Sequence, residues 1–161
     1  RDINDVLWSG KFLLEDPSVI QDIHLKYFEA GADVAITSTY NVSLPGFLEK
    51  GLTDEEAQQK CALACEIAAK ARDEFWADEK NRQGRVRPLV AASIGSYGAF
   101  LPTGEEFTGD YKLTEKEYMD WHRWMIKACL KGKPDLFAIE THPRLDEIQA
   151  ICKLFQTEFP D

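Results

Sequence analysis

The sequence predicts an α/β fold built on a parallel sheet, and two observations carry that expectation. Helix-like and strand-like segments alternate in the order α, β, α, β, α, β, α, as strands joined by helical crossovers do. Each strand-like run also begins apolar and ends polar: AITSTYN (35–41), AASIGSYG (91–98) and AIETHP (138–143). Parallel strands buried along their bodies and open to a ligand at their carboxyl ends have this character. A doubly wound sheet and a (β/α) barrel both satisfy the pattern.

The elements follow in order. Asp16-Pro17-Ser18 reads as a helix start, with Asp16 as cap and Pro17 where its missing N–H costs nothing. Val19, Ile20, Ile23, Tyr27 and Phe28 then recur at helical spacing until Gly31 stops the run. Asp33–Thr37 is short and nearly continuous in apolar character, as a strand covered on both faces should be. A loop with Pro45 and Gly46 precedes Thr53-Asp-Glu-Glu56, a capping box that opens a long helix to about Trp76. RPLVAASIG is the second strand, and the long connection from Gly95 to about Tyr111 reads as functional. Thr114-Glu-Lys-Glu117 is a second capping box, and Tyr118, Trp121, Met125, Ala128 and Cys129 mark one face of its helix, closed by Gly132 and Pro134. Asp135–Glu140 is the third strand, and a last helix is expected from about Leu145 to Phe155, ahead of Pro160-Asp161 where another strand is expected to begin.

Composition narrows the function. Hydrophobic content of 44% and charged content of 29% over 161 residues describe one globular unit long enough to bury a core. A net charge of -9 argues against a polyanion partner, since nucleic-acid binding needs a concentrated basic surface, and a small or zwitterionic ligand fits better. No segment resembles a signal peptide, and no apolar run approaches the roughly 20 residues that span a bilayer, so a cytoplasmic protein with no membrane partner is expected. Reduced thiols are expected at Cys61, Cys65, Cys129 and Cys152.

The three polar strand ends, converging on one rim, would place Thr37, Thr39, Tyr40, Asn41, Ser93, Ser96, Tyr97, Glu140, Thr141 and His142 around one pocket. Glu140 is the only carboxylate at a strand end, and a ligand ammonium group would offset the cost of burying it. An arginine partner or a cap on the next helix would do the same. Cys61 and Cys65 share a helix face with Ala57, Ala64 and Ala68 and read as packing residues. His24 and His122 read as helix-surface or boundary residues. Paired-cysteine zinc spacing and HExxH are absent, and GSYGAFLPTGEEFTG is neither a phosphate-binding loop nor a dinucleotide fingerprint.

Three stretches carry a resemblance: LWSGKFLLEDPSVIQDIHLKYFEAGADVAITSTYNVSLPGF, VAASIGSYGAFLPTGEEFTGDY and LFAIETHPRLDEIQAI. In order and spacing they resemble the homocysteine S-methyltransferase family, and its S-methylmethionine- or S-adenosylmethionine-using branch more than the betaine-using one. The resemblance implies a (β/α)8 TIM barrel of which residues 1–161 are the N-terminal part of a single homocysteine-binding domain, covering about strands two to four. It implies methyl transfer from a sulfonium donor to homocysteine, forming methionine, with a zinc-activated thiolate as nucleophile. Glu140 matches the glutamate of the family's ET-x-P motif, which binds the homocysteine amino group. Thr37 matches a pocket threonine, and Thr39, Tyr40, Ser93 and Thr141 fall in or beside the same motifs.

The chain departs from the family in ways that matter. The family's three zinc-binding cysteines lie in G-x-N-C and G-G-C-C motifs on later strands, and none of the four cysteines here matches them. The opening strand with its D-G aspartate is expected just before Arg1, and GEEFTG (104–109) differs from the branch's usual G-S-E-Y-T-G at Glu105 and Phe107. A 161-residue product would therefore be expected to lack zinc and activity and to self-associate through open barrel edges as a binding or assembly module. A lyase with Glu140 as general base ranks lowest, because it explains the strand ends but not the three motifs.

Overall fold

The computed structural model describes residue 5 and residues 7–160. A 3-10 turn over Trp8–Lys11 leads into α1 (Phe12–Glu15), and there follow α2 (Pro17–Glu29), β1 (Val34–Ile36), α3 (Leu44–Glu49), α4 (Asp54–Ala77), β2 (Leu89–Ile94), α5 (Glu105–Thr108), α6 (Glu115–Leu130), β3 (Leu136–Ile139) and α7 (Leu145–Glu158). The strands form one parallel sheet in the order β1-β2-β3, with Ile36 beside Ala91 and Ala91 beside Leu136. The expected α/β class and parallel pairing are present.

Local chemistry sets most boundaries. Pro17 opens α2, and the chain leaves that helix at Gly31, whose φ of +108° only glycine adopts without strain. The Arg85 guanidinium donates to the Phe28 and Ala32 carbonyls at 3.0 and 2.6 Å, tying the segment before β2 to the end of α2 and the turn after it. Both capping boxes form, Thr53 with Glu56 on α4 and Thr114 with Glu117 on α6. Buried Arg72 of α4 donates to Asp135 Oδ2 at 2.6 Å, and the same oxygen accepts the Val90 N–H at 2.7 Å, fixing the bases of β2 and β3 to α4.

The core lies between the sheet and its helices. Ala35 and Val90 pack with Phe28, Ala68, Ala71 and Phe75, while Ala92 and Ile94 join Cys61, Cys65, Met125, Ile126 and Leu154. Small residues on the inner stripe of α4 let it sit close to both α2 and α6. The opposite face of the sheet differs from expectation. Val34 (43%), Ile36 (49%), Leu89 (42%) and Leu136 (37%) stay exposed there, because alternation sends them away from the helices and no described element covers them.

Three further differences have local causes. The Pro45-Gly46 loop is instead α3, since Ser43 Oγ accepts the Gly46 N–H at 3.2 Å and Phe47 anchors the turn in the core. The 95–111 connection contains a 3-10 turn over Tyr97–Phe100 as well as α5, and α7 continues to Glu158. His24 and His122 are not surface residues. His24 falls on the face that carries Ile20 and Phe28, His122 on the face that carries Tyr118, Met125, Ile126 and Cys129, and both are buried.

Candidate functional site

The polar strand ends meet at one end of the sheet. Beyond β1, the hydroxyls of Thr37 and Thr39 and the backbone of Ser93 close a small ring. Thr39 Oγ1 donates to the Ser93 carbonyl at 2.6 Å, so the 2.7 Å contact between the two threonines has Thr37 as donor. The Ser93 N–H then donates to Thr37 Oγ1 at 3.0 Å. All three residues are buried, and these bonds hold the β1 end against β2. Ser93 Oγ reaches across to β3 and donates to Glu140 Oε1 at 2.5 Å. Thr37, Thr39, Ser93 and Glu140 are thus one connected polar system across three strands.

Glu140 is half-buried, and its described hydrogen bond occupies Oε1, so Oε2 is available to a second donor. Tyr40 lies nearby, its hydroxyl hydrogen-bonded to Thr141, and burial raises the phenol above its ordinary pKa. Thr141 itself is exposed and has φ of +55°, the left-handed region that β-branched residues rarely enter. Gly95 belongs to the same junction, since a Cβ there would stand 2.5 Å from the Tyr40 carbonyl oxygen. Asn41 Nδ2 makes only a long 3.4 Å contact with the Ala99 carbonyl, and buried Ser96 leads into the 97–100 turn.

Behind this rim is a second polar group that sequence patterns did not single out. Glu147 of α7 is completely buried, and its carboxylate accepts the Tyr97 N–H at 2.7 Å, the Tyr111 hydroxyl at 2.6 Å and His122 Nε2 at 2.8 Å. Burial pushes its carboxyl up, but the bonds from His122, Tyr111 and Tyr97 outweigh that and hold it below the ordinary value. Burial and the Glu147 carboxylate together push the Tyr111 phenol up. His142 Nδ1 lies 2.9 Å from the Glu140 carbonyl, and burial lowers the pKa of its imidazole. The signal for Glu147 was its place on the apolar face of α7 with Ala150, Ile151 and Leu154.

Tyr97 and Phe100 pack on Trp121 with centroids at 4.8 and 5.1 Å. A cleft of about 430 Å³ opens beside them, between Val42–Pro45 and α6, with Tyr97, Trp121, Trp124, Glu117 and Asp120 on its walls. It shares Val42, Trp121 and Met125 with a small cavity under Tyr40.

All four cysteines are free, with Cys152 exposed and the other three buried. Cys61 and Cys129 contact Met125 Sδ at 3.8 and 3.9 Å in the interface of α4 and α6. The Cys129 thiol and burial push Cys65 up, and Cys129 is raised by its contact with Cys61, so these are neutral packing thiols. They do not fit a zinc–thiolate centre, and no step below passes through one.

Sheet, strand-end carboxylate and hydroxyl ring together define a parallel α/β unit with a polar rim at the carboxyl ends of its strands. Residues 1–161 match the family model described as homocysteine S-methyltransferase, and the chain belongs to that family. It is 46% identical over 159 residues to homocysteine S-methyltransferase YbgG of Bacillus subtilis (strain 168), covering 99% of this chain and 50% of that protein. It is 42% identical to homocysteine S-methyltransferase 1 of Arabidopsis thaliana, covering 97% of this chain and 49% of that one. Among solved structures, the oxidized form of the homocysteine methyltransferase MmuM from Escherichia coli superimposes with a TM-score of 0.91 at 37% identity, over 98% of this chain and 53% of that one. The metallated form of that enzyme gives 0.90 at 38% identity, over 97% of this chain and 53% of that one. The chain spans about half the length of the curated relatives it matches.

Proposed function

We propose that this segment supplies part of the homocysteine pocket of a homocysteine S-methyltransferase, with Glu140 as the carboxylate that takes the substrate ammonium group. The observation that carries this is the Glu140 carboxylate itself, half-buried at the end of β3, with one oxygen engaged by Ser93 and the other available. An ammonium group donating to Oε2 would complete a charge-assisted pair in a partly desolvated site. Thr37 and Thr39 keep the β1 and β2 ends in register, Ser93 orients Glu140, and Tyr40 with Thr141 forms the rim beside it.

The reaction class is displacement at a sulfonium methyl group. The homocysteine sulfur, as its thiolate, forms the new bond to carbon while the donor's S–CH3 bond breaks, giving methionine and the neutral thioether of the donor, with the thiol proton passing to solvent. S-Methylmethionine and S-adenosylmethionine are the donors this reading names. The aromatic walls and the Glu117 and Asp120 carboxylates of the adjoining cleft suit a sulfonium cation. In the complete domain the sheet would continue as a (β/α)8 barrel, with these strands as about the second to fourth. The zinc that activates the thiolate would be held by cysteines on later strands of that complete domain.

The test is methyl transfer from S-methylmethionine to homocysteine, measured on the 161-residue chain and on any longer product of the same gene. The reading expects activity in the longer product alone, with Glu140→Ala raising the KM for homocysteine at least tenfold. An unchanged KM would refute the role of Glu140.

A second reading, an inactive binding or assembly module, is favoured by the apolar strip of Val34, Ile36, Leu89 and Leu136. It expects the 161-residue chain to self-associate, and the Ile36→Lys variant to lower its mass in light scattering. A monomer at all concentrations would refute it.

A further inference from the structure

We propose that His122, His142 and Glu147 form a divalent-cation site of the imidazole–carboxylate class, suited to zinc or a similar transition metal and separate from any cysteine site. Their ligand atoms all lie within 4.8 Å of one another, on three different elements: α6, the turn after β3, and α7. No part of the inference depends on the methyltransferase reading.

His142 carries the argument. One face of its ring is committed, because Nδ1 lies 2.9 Å from the Glu140 carbonyl, an acceptor, and must bear the proton. Nε2 is then an unprotonated lone pair, and this atom is buried and has no hydrogen-bond partner among the described residues. Burying a polar atom unpaired is costly, and an orphan of this kind, as also at His24 Nε2, Ser38 Oγ and Ser96 Oγ, calls for an explanation; His142 differs from those three in facing two further ligand groups. A histidine that donates through one nitrogen to a backbone carbonyl and turns the other into a shared space is the ordinary arrangement of a metal-bound imidazole.

The remaining donors meet that nitrogen. His122 is 1% exposed, Glu147 is fully buried, and the rings of His122 and His142 stand with centroids 5.7 Å apart. Glu147 keeps the Tyr97 N–H and the Tyr111 hydroxyl as fixed supports, so its carboxylate is already oriented. Loading requires two small changes. The His122 proton moves from Nε2 to Nδ1, ending the 2.8 Å bond to Glu147 so that both atoms can face the ion. Metal–ligand distances of about 2.0–2.2 Å set tetrahedral donors roughly 3.3–3.6 Å apart, so the His122 and Glu147 atoms spread slightly while His142 Nε2 moves in. Two imidazoles and a carboxylate fit borderline metals rather than magnesium or calcium, which prefer all-oxygen shells. A bound ion would pin His142 and, through its Nδ1–H, the carbonyl of Glu140.

The experiment is titration of the reduced 161-residue chain with cobalt(II) and with zinc(II), by absorption and calorimetry. The expected result is one ion per chain, with cobalt d–d bands and no intense thiolate charge-transfer band. His142→Phe keeps the ring volume, removes both nitrogens and should weaken binding at least tenfold. Its melting temperature without metal should stay close to that of the parent. His122→Gln should weaken binding as well. The proposal is overturned by failure of the parent chain to bind stoichiometrically, by thiolate bands, or by unchanged affinity in His142→Phe. Because the readout is metal binding, it stands or falls apart from the methyl-transfer assay.

Discussion

Replacing Glu147 by Gln tests the buried network most directly. The carboxylate is fully buried and takes three donors, at 2.7, 2.6 and 2.8 Å. The amide keeps the shape but gives up the charge and turns an NH2 toward groups that donate, so at least one of Tyr97, Tyr111 and His122 loses its acceptor. Breaking a buried, charge-assisted group of this kind costs about 3–5 kcal/mol. For a chain of this size that corresponds to a fall in Tm of roughly 6–20 °C. The pH dependence supplies a second check. Glu147 titrates below its ordinary value in the folded protein, so its contribution is present above the unfolded pKa and is lost as pH falls through the folded one. The gap between the parent and Glu147→Gln should therefore be full at neutral pH and close in acid. Urea unfolding at a series of pH values measures both. A loss below about 1 kcal/mol at pH 7 would refute the reasoning, since exposed ion pairs are worth that little.

Two smaller predictions concern packing. Gly95→Ala should destabilise the chain by about 1–3 kcal/mol, because the new Cβ would stand 2.5 Å from the Tyr40 carbonyl oxygen; an unchanged urea midpoint would contradict that contact. Of the four thiols, only Cys152 is exposed, so a disulfide reagent should modify it rapidly and reach the other three only on unfolding; fast native reaction of Cys61, Cys65 or Cys129 would contradict the packed α4 and α6 interface.

Much of the fold was legible because its signals are local. Capping boxes at Thr53 and Thr114, Pro17 at a helix start and Gly31 after its end act within a few residues, and each appears in the structure where the pattern put it. Short-range signals misled where a turn and a helix share the same residues, as at Ser43-Leu44-Pro45-Gly46. The histidines were misread for a different reason. A polar residue on an otherwise apolar face looks like a boundary until a buried partner is known, and the partner of His122 lies 25 positions away on another helix.

The sequence by itself determined the order of the three strands and the long helices between them, the parallel α/β class, the polar strand ends and, through three motifs in register, the family. These follow from periodicity, capping chemistry and residue identity, all of which are written along the chain. Only the tertiary structure decided which strand-end groups bond to one another. It closed the Thr37, Thr39 and Ser93 ring, set Ser93 against Glu140, left one face of the sheet open, and brought His122, His142 and Glu147 together. Such contacts depend on how far apart separate elements come to rest, and packing, rather than any local pattern, fixes that distance.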